Sequence, residues 1–264
     1  MAPVPDLDFD DTVTRLRAAG CAFAEEEAGL LLEAATDPAG LADLVRRRVD
    51  GEPLEVILGW VAFCGLRLAI DPHVFVPRQR TALLAERAAR LAADMVRPGD
   101  AVVDLCCGCG AVGAVIAARV PGVELHLADV DPRATALARR NVGAAAVHTG
   151  DLLEALPVEL RGRVAVLAAN APYVPSDAVA DMPPEARDHE PRAALDGGPD
   201  GLGVIRRILA EARQWLRPGG VFAVECSTGQ VPLLLGAVRA AGLTPTVETD
   251  DERGATVVLA RRSG

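Results

Sequence analysis

Apolar residues in the first 50 positions recur at helical spacing. Leu7, Val13 and Leu16 form one stripe, Ala28, Leu30, Leu31 and Leu32 a second, and Leu41, Leu44 and Val45 a third. Gly20, Asp37-Pro38 and Gly51 separate them, as residues that cap or break helices do. The pattern predicts a small N-terminal helical domain over residues 1–50. From Gly51 to Arg78 the spacing changes to alternation on either side of Cys64-Gly65, which predicts a hairpin and a connecting loop over residues 51–78.

Residues 79–264 read as a second domain. A helix is predicted from Thr81 to Val96, stopped by Arg97-Pro98-Gly99. Strand-like and helix-like runs then alternate: AVVDLCC, a helix from Gly110, VELHLADV, a helix from Pro132, AAVHTGD, a short helix near Leu152, and VAVLAAN. After a loop of about thirty residues come a helix from Leu202 to Leu216, GVFAVECS, a helix from Val231 to Ala241, and two strands around Thr246 and ATVVLA. Alternation of this kind builds an α/β fold with a doubly wound, mostly parallel sheet, whose ligands bind beyond the carboxyl ends of the strands. The last two strands are too closely spaced for a helical crossover, so one of them should run antiparallel.

Charge narrows the partners. The net charge is −10, and all 27 basic residues are arginine. No basic face is written for a phosphate backbone, which argues against direct nucleic-acid binding. The longest apolar runs are interrupted well before membrane-spanning length, and MAPVPDLDFDD is acidic where a signal peptide is basic, so a cytoplasmic protein without membrane contact is expected. Cys106, Cys107 and Cys109 cluster in one turn, but without the spacing of zinc-ligand pairs or a histidine nearby, so no metal is expected.

Candidate chemistry lies at the strand ends. Gly108-Cys-Gly110-Ala-Val-Gly113 fits a dinucleotide-binding loop, and Asp129 follows at the distance of a ribose ligand. Asp104, just ahead of the glycines, would repel a pyrophosphate seated on the helix N-terminus. It would instead favour the ammonium and sulfonium of S-adenosylmethionine; its other reading is a helix-capping acid. Asp129 is placed to accept both ribose hydroxyls, with Asp131 as the cap of the next helix. Asp151 can reach the adenine amino group with Leu152 against the ring, or can simply form the turn.

Asn170, at the end of VAVLAAN, would face the transferred methyl. A planar amide or aromatic amine nitrogen is a poor nucleophile, because its lone pair is shared with the adjacent π system. Two acceptors, the Asn170 side-chain oxygen and the Ala171 carbonyl, can hold both of its N–H groups and leave the lone pair aimed at the methyl carbon. Pro172 biases residue 171 towards an extended conformation, and Tyr173 offers a ring face for a planar acceptor. A strand ending in an Asn-Pro turn is the plainer alternative.

These motifs together resemble the protein-(glutamine-N5) methyltransferases, which modify the glutamine of the Gly-Gly-Gln motif in peptide chain release factors. The resemblance runs through Gly51-Glu-Pro-Leu-x-x-Ile-Leu-Gly59, Val76-Pro-Arg78, Asp104-Leu-x-x-Gly-x-Gly110, Asn170-x-Pro-Tyr173, Glu190-Pro-Arg-x-Ala-Leu-Asp-Gly-Gly198 and Asp200-Gly-Leu. It implies a class I S-adenosylmethionine-dependent methyltransferase domain of Rossmann-like fold behind a helical domain that helps to bind the release factor. It also implies a donor site of Asp104, Cys106, Cys107, Gly108, Cys109, Gly110, Asp129, Val130, Asp151, Leu152 and Asn170. Asn170, Pro172 and Tyr173 would be catalytic, with Ala171, Phe75, Pro77 and Arg78 joining them around the acceptor.

The chain departs from the family pattern in three places. Asn-Pro-Pro-Tyr is Asn170-Ala-Pro-Tyr173, the first loop glycine is Cys106, and Pro-Arg-Pro-Glu-Thr is Pro77-Arg-Gln-Arg-Thr81. These changes are those of a side branch. Three rivals stand beside this reading: an amino-methylating DNA or RNA enzyme, which would share the Asn-x-Pro-Tyr clamp; a non-catalytic scaffold that binds the donor; and an NAD dehydrogenase.

Overall fold

The computed structural model describes residues 9–264. Three helices, α1 (Phe9–Ala18), α2 (Ala24–Ala34) and α3 (Pro38–Val49), form on the apolar stripes; Leu7 lies outside the described residues. Asp37 caps α3 by accepting the Gly40 N–H, which the helix itself leaves without a partner. The three helices close on Val13, Leu16, Ala28, Leu31, Leu41 and Val45.

That cluster continues past Gly51. Leu54–Leu58 forms a short helix, α4, where the alternation predicts extended chain. Leu54, Ile57 and Leu58 stand at i, i+3 and i+4, so one face turns inwards and Ile57 is buried with the first three helices. Gly59 ends α4 in the left-handed conformation, φ 75°. The hairpin follows as β1 (Trp60–Phe63) and β2 (Leu66–Ala69), turning at Cys64 and Gly65, both with positive φ.

The rest of the chain alternates. Its elements are α5 (Ala82–Met95), β3 (Ala101–Leu105), α6 (Ala111–Arg119), β4 (Glu124–Asp129), α7 (Pro132–Asn141), β5 (Ala146–Thr149) and β6 (Val164–Ala169). Then come α8 (Pro184–His189), α9 (Arg192–Leu195), α10 (Gly203–Trp215), β7 (Leu216–Glu225), α11 (Val231–Ala240), β8 (Thr244–Asp250) and β9 (Ala255–Arg261). The turn at Leu152–Ala155 is a 3-10 helix, and the long loop after β6 carries α8 and α9.

The strands form one sheet in the order β5-β4-β3-β6-β7-β9-β8. Strands β3 to β7 are parallel, and β9 runs antiparallel to both β7 and β8. The strand order reverses between β3 and β6, and the crevice above that reversal is where open α/β sheets take ligands. The pleat sets what faces the crevice. Ala101, Val103 and Leu105 pack in the cluster that holds α10 and α11, whereas Val102 packs with α5 and α6. Asp104 shares the face of Val102 and so lies beneath the first turn of α6.

An ion-pair bridge joins the helical region to the sheet domain. The buried Arg48 of α3 pairs with Glu27 of α2 at 2.6 Å and with Glu185 of α8 at 2.6 Å. No helix among the described residues is long and apolar enough to cross a membrane.

Candidate active site

A cavity of about 420 Å³ opens beyond the carboxyl ends of β3, β4 and β6. Asp104, Asp129 and Asn170, one from each strand end, line it together with Asp151 and Leu152 after β5. Cys106, Cys107, Gly108 and Cys109 supply the loop side, and Val130, Phe75, Pro77 and Pro172 complete the expected residues that reach its wall. Three of the four non-glycine residues with positive φ among the described residues, His73 (63°), Cys106 (53°) and Leu152 (47°), also line it. Backbone strain concentrates where the chain has something to hold.

Asp104 is buried, and its Oδ2 accepts the Gly113 N–H at 2.8 Å. It therefore caps α6 from the preceding strand while bordering the cavity, so both readings of this residue apply to one side chain. Burial pushes its carboxyl up to about 7; the Gly113 N–H opposes that shift and the Asp129 charge adds to it. Asp129 Oδ2 accepts the Gly108 N–H and Oδ1 accepts the Asp131 N–H, each at 2.9 Å. Burial raises its carboxyl as well, against those N–H groups. Each oxygen keeps a lone pair that a ligand hydroxyl can use. Asp131 caps α7 by accepting the Arg133 N–H at 2.8 Å.

The cysteines are free thiols, and burial pushes Cys106 and Cys107 well up and Cys109 up to about 12. Held as thiols, they are poor nucleophiles and poor metal ligands. Cys106 pays for its left-handed backbone, which costs a side chain about 1–2 kcal/mol relative to glycine. Cys106→Gly should therefore raise unfolding stability by roughly 0.5–1 kcal/mol, since the extra chain entropy of glycine cancels part of the relief. Urea unfolding checks this; a loss of stability would mean that thiol packing outweighs the strain.

Asn170 Nδ2 donates at 3.3 Å to Oγ1 of Thr81, a residue buried just ahead of α5. That bond commits the amino end of the amide and leaves its oxygen for another donor. Asp151 is not free: its Oδ2 takes a hydrogen bond from Arg207 Nη2 at 2.6 Å, and Arg207, on α10, also lines the cavity. Neither Thr81 nor Arg207 carries a role in the sequence reading. In the sequence Thr81 stands as the start of a predicted helix and the last residue of a family motif, and Arg207 has no signal among so many arginines.

Four expected residues stand back from the cavity wall. Gly110, φ 83°, is the N-cap of α6, and a Cβ there would press on Leu127, Val142 and Ala138 at 3.1–3.2 Å, so its glycine serves helix packing. Ala171 is fully buried in the core, carbonyl included, so the expected second acceptor is not on the cavity wall: the alanine packs inward with the sheet and only Asn170 and Pro172 of the turn reach the cavity. Arg78 pairs at 2.7 Å with Glu190, which also accepts the Val76 N–H. Tyr173 turns its phenol to Glu225 Oε1 at 2.9 Å, and the Arg80 guanidinium stands 5.8 Å from its ring centroid. Burial and the Glu225 carboxylate both raise the phenol. The ring is thus held between two charged neighbours and is not among the residues of the cavity wall.

Comparisons with known proteins find methyltransferases. Residues 80–181 match the methyltransferase small domain. A release factor glutamine methyltransferase of Geobacter sulfurreducens is 36% identical over 225 residues, spanning 84% of this chain and 77% of that one. A 4-amino-L-phenylalanine/4-methylamino-L-phenylalanine methyltransferase of Streptomyces pristinaespiralis is 38% identical over 204 residues, spanning 75% and 69%. Among solved structures, a methyltransferase from Pyrococcus furiosus superposes with a TM-score of 0.54 at 15% identity, over 76% of this chain and 91% of that one, a likeness of fold.

Proposed function

We propose that this chain, which belongs to the release factor glutamine methyltransferase family, methylates the side-chain amide nitrogen of a glutamine in the Gly-Gly-Gln loop of a peptide chain release factor. The observation that carries this reading is Asn170 on the cavity rim, with its amino group bound to Thr81 and its oxygen left for an acceptor N–H.

S-adenosylmethionine is the donor in this reading and supplies an electrophilic methyl group. The donor set fits it: Asp104, Asp129 and Asp151 border the cavity, suited to a ligand with a cationic amino-acid end and ill suited to a pyrophosphate. Asp104 would face the ammonium and sulfonium, Asp129 would accept from the ribose hydroxyls, and Asp151 and Leu152 would take the adenine. On the other side, the Asn170 oxygen would accept an N–H of the glutamine amide and set the orientation of its nitrogen. Held so, the nitrogen lone pair would be aimed at the electrophilic methyl group that the donor would supply, with the surplus proton of the methylated amide passing to water.

The helical region would dock the acceptor protein. Residues 1–50 carry eleven acidic residues against five arginines, an unsuitable face for RNA. Arg48 ties α3 to Glu185, in the same segment as Pro191, Ala193 and Ala194, which line the cavity. A release factor acceptor also places the protein in the cytoplasm.

A labelled-methyl assay tests this reading. Label from S-adenosylmethionine is expected on the Gly-Gly-Gln glutamine of an intact release factor, located by mass spectrometry. An unlabelled release factor would reject that acceptor, and label on 4-aminophenylalanine instead would move the substrate to a planar aromatic amine, as the Streptomyces relative's name suggests.

Asp104 makes donor binding depend on pH. With its carboxyl raised to about 7, a cationic donor must displace a proton below that pH, so affinity should fall by up to about tenfold per unit as pH drops. Asp104→Asn should bind more weakly at pH 8 and lose that slope. Because the folded carboxyl holds its proton more tightly than the unfolded one, its contribution to the ligand-free protein is full at low pH and lost as pH rises through about 7. The Asn variant should therefore gain thermal stability relative to wild type above that pH. Calorimetry and melting curves across pH 5.5 to 8.5 check both signs.

A further inference from the structure

The turn from Asn170 to Tyr173 leaves the sheet, so its backbone must find partners elsewhere. The Val174 N–H donates to the Leu195 carbonyl at 3.0 Å and the Gly197 N–H to the Val174 carbonyl at 2.8 Å. Two glycines allow this close approach. A Cβ on Gly197 would sit 2.6 Å from the Pro172 carbonyl oxygen, and one on Gly201 (φ 74°) would overlap the Tyr173 carbonyl.

Gln230 completes the support. It is buried just ahead of α11, and its Nε2 donates to the Tyr173 carbonyl at 2.8 Å and to the Asp200 carbonyl at 3.0 Å. Its Oε1 accepts the Ser227 N–H at 3.0 Å and the Ser227 hydroxyl at 2.9 Å. Both ends of the amide are committed, which fixes its orientation. Glu225, at the end of β7, holds the Tyr173 phenol. One short segment, 225–230, therefore grips Tyr173 at its backbone and at the tip of its ring.

We propose that Gln230 is a positioning residue for methyl transfer, acting through the Tyr173 carbonyl to fix the turn that presents the Asn170 amide to the acceptor. The Pro172 ring sets one backbone torsion of the turn. The torsions on either side of Tyr173 are free in sequence terms, and the contacts of Gly197 and Gln230 remove that freedom. A donor lost at residue 230 leaves a buried carbonyl without a partner, and the peptide turns to seek another. This inference rests on the reading of Asn170 as the acceptor clamp.

The test measures kcat at saturating donor for wild type, Gln230→Glu, Gln230→Leu and Asn170→Ala on the Gly-Gly-Gln substrate, with donor affinity and melting temperature alongside. Glutamate keeps the shape and the acceptor for Ser227, but sets an oxygen against two carbonyls unless it is protonated, and burial favours the protonated form. Gln230→Glu is expected to lose about tenfold in kcat near pH 8.5 and to recover towards pH 6, with donor affinity within about twofold of wild type. Gln230→Leu should lose kcat at every pH, and wild type should show no alkaline loss. A Glu variant at wild-type kcat throughout, or one whose loss follows its melting temperature without recovery at low pH, would overturn the role of Gln230 and leave the clamp standing if Asn170→Ala is inactive. No transfer by wild type, or full activity in Asn170→Ala, would overturn the clamp and this inference with it.

Discussion

Asn170→Ala is expected to lower kcat by about 100-fold or more while donor affinity changes little, because the amide oxygen works on the acceptor nitrogen at the moment of transfer. Asn170 stands at the rim where β6 ends, and Thr81 holds its amino group. Removing it takes away the acceptor that would hold the glutamine N–H, so the amide can rotate and its lone pair no longer points at the methyl carbon. Alanine suits this position structurally, since residues 168, 169 and 171 are already alanine and buried. Single-turnover kinetics at saturating donor, with calorimetry for the donor, separate the two effects. A wild-type rate in a folded variant would sink the clamp.

The second large effect falls on binding. Asp129→Ala should weaken donor affinity by about 100-fold or more, because two charge-assisted hydrogen bonds contribute about 1.5–3 kcal/mol each. The loss reaches further than the ribose, since Asp129 also accepts the Gly108 and Asp131 N–H groups that shape the two loops beside it. Asp129→Asn should be milder: its amide oxygen still accepts, but its amino end meets a backbone N–H that needs an acceptor. Unchanged calorimetric affinity in the alanine variant would reject Asp129 as a ribose ligand.

Much of the site was legible because it depends on short-range rules. Asp104, Asp129 and Asn170 end or nearly end three apolar runs, and parallel strands with helical crossovers bring their carboxyl ends to one edge whatever the helices contain. Where local pattern misled, a competing local rule had won. Gly51 to Gly59 looks alternating, yet Leu54, Ile57 and Leu58 also satisfy helical spacing, and the apolar face of the first three helices decided between them.

The sequence by itself determined the alternation of strands and helices beyond Ala101, an antiparallel member of the final strand pair, the acidic residues at the strand ends and the Asn-Ala-Pro-Tyr turn. Each follows from residues close together in the chain, through periodicity, charge or a restricted torsion. The tertiary structure decided which partners those residues meet. Thr81 reaches Asn170 across 89 positions, Arg207 reaches Asp151 across 56, and Glu225 reaches Tyr173 across 52. With 27 arginines in the chain, composition cannot choose which one meets a given carboxylate. Tyr173 shows the consequence: its place in the motif suggested an exposed ring face, but a half-buried phenol needs an acceptor, and the carboxylate at the end of β7 turned it away from the cavity. Such pairings depend on strand order and helix packing, which exist only once the whole sheet has assembled.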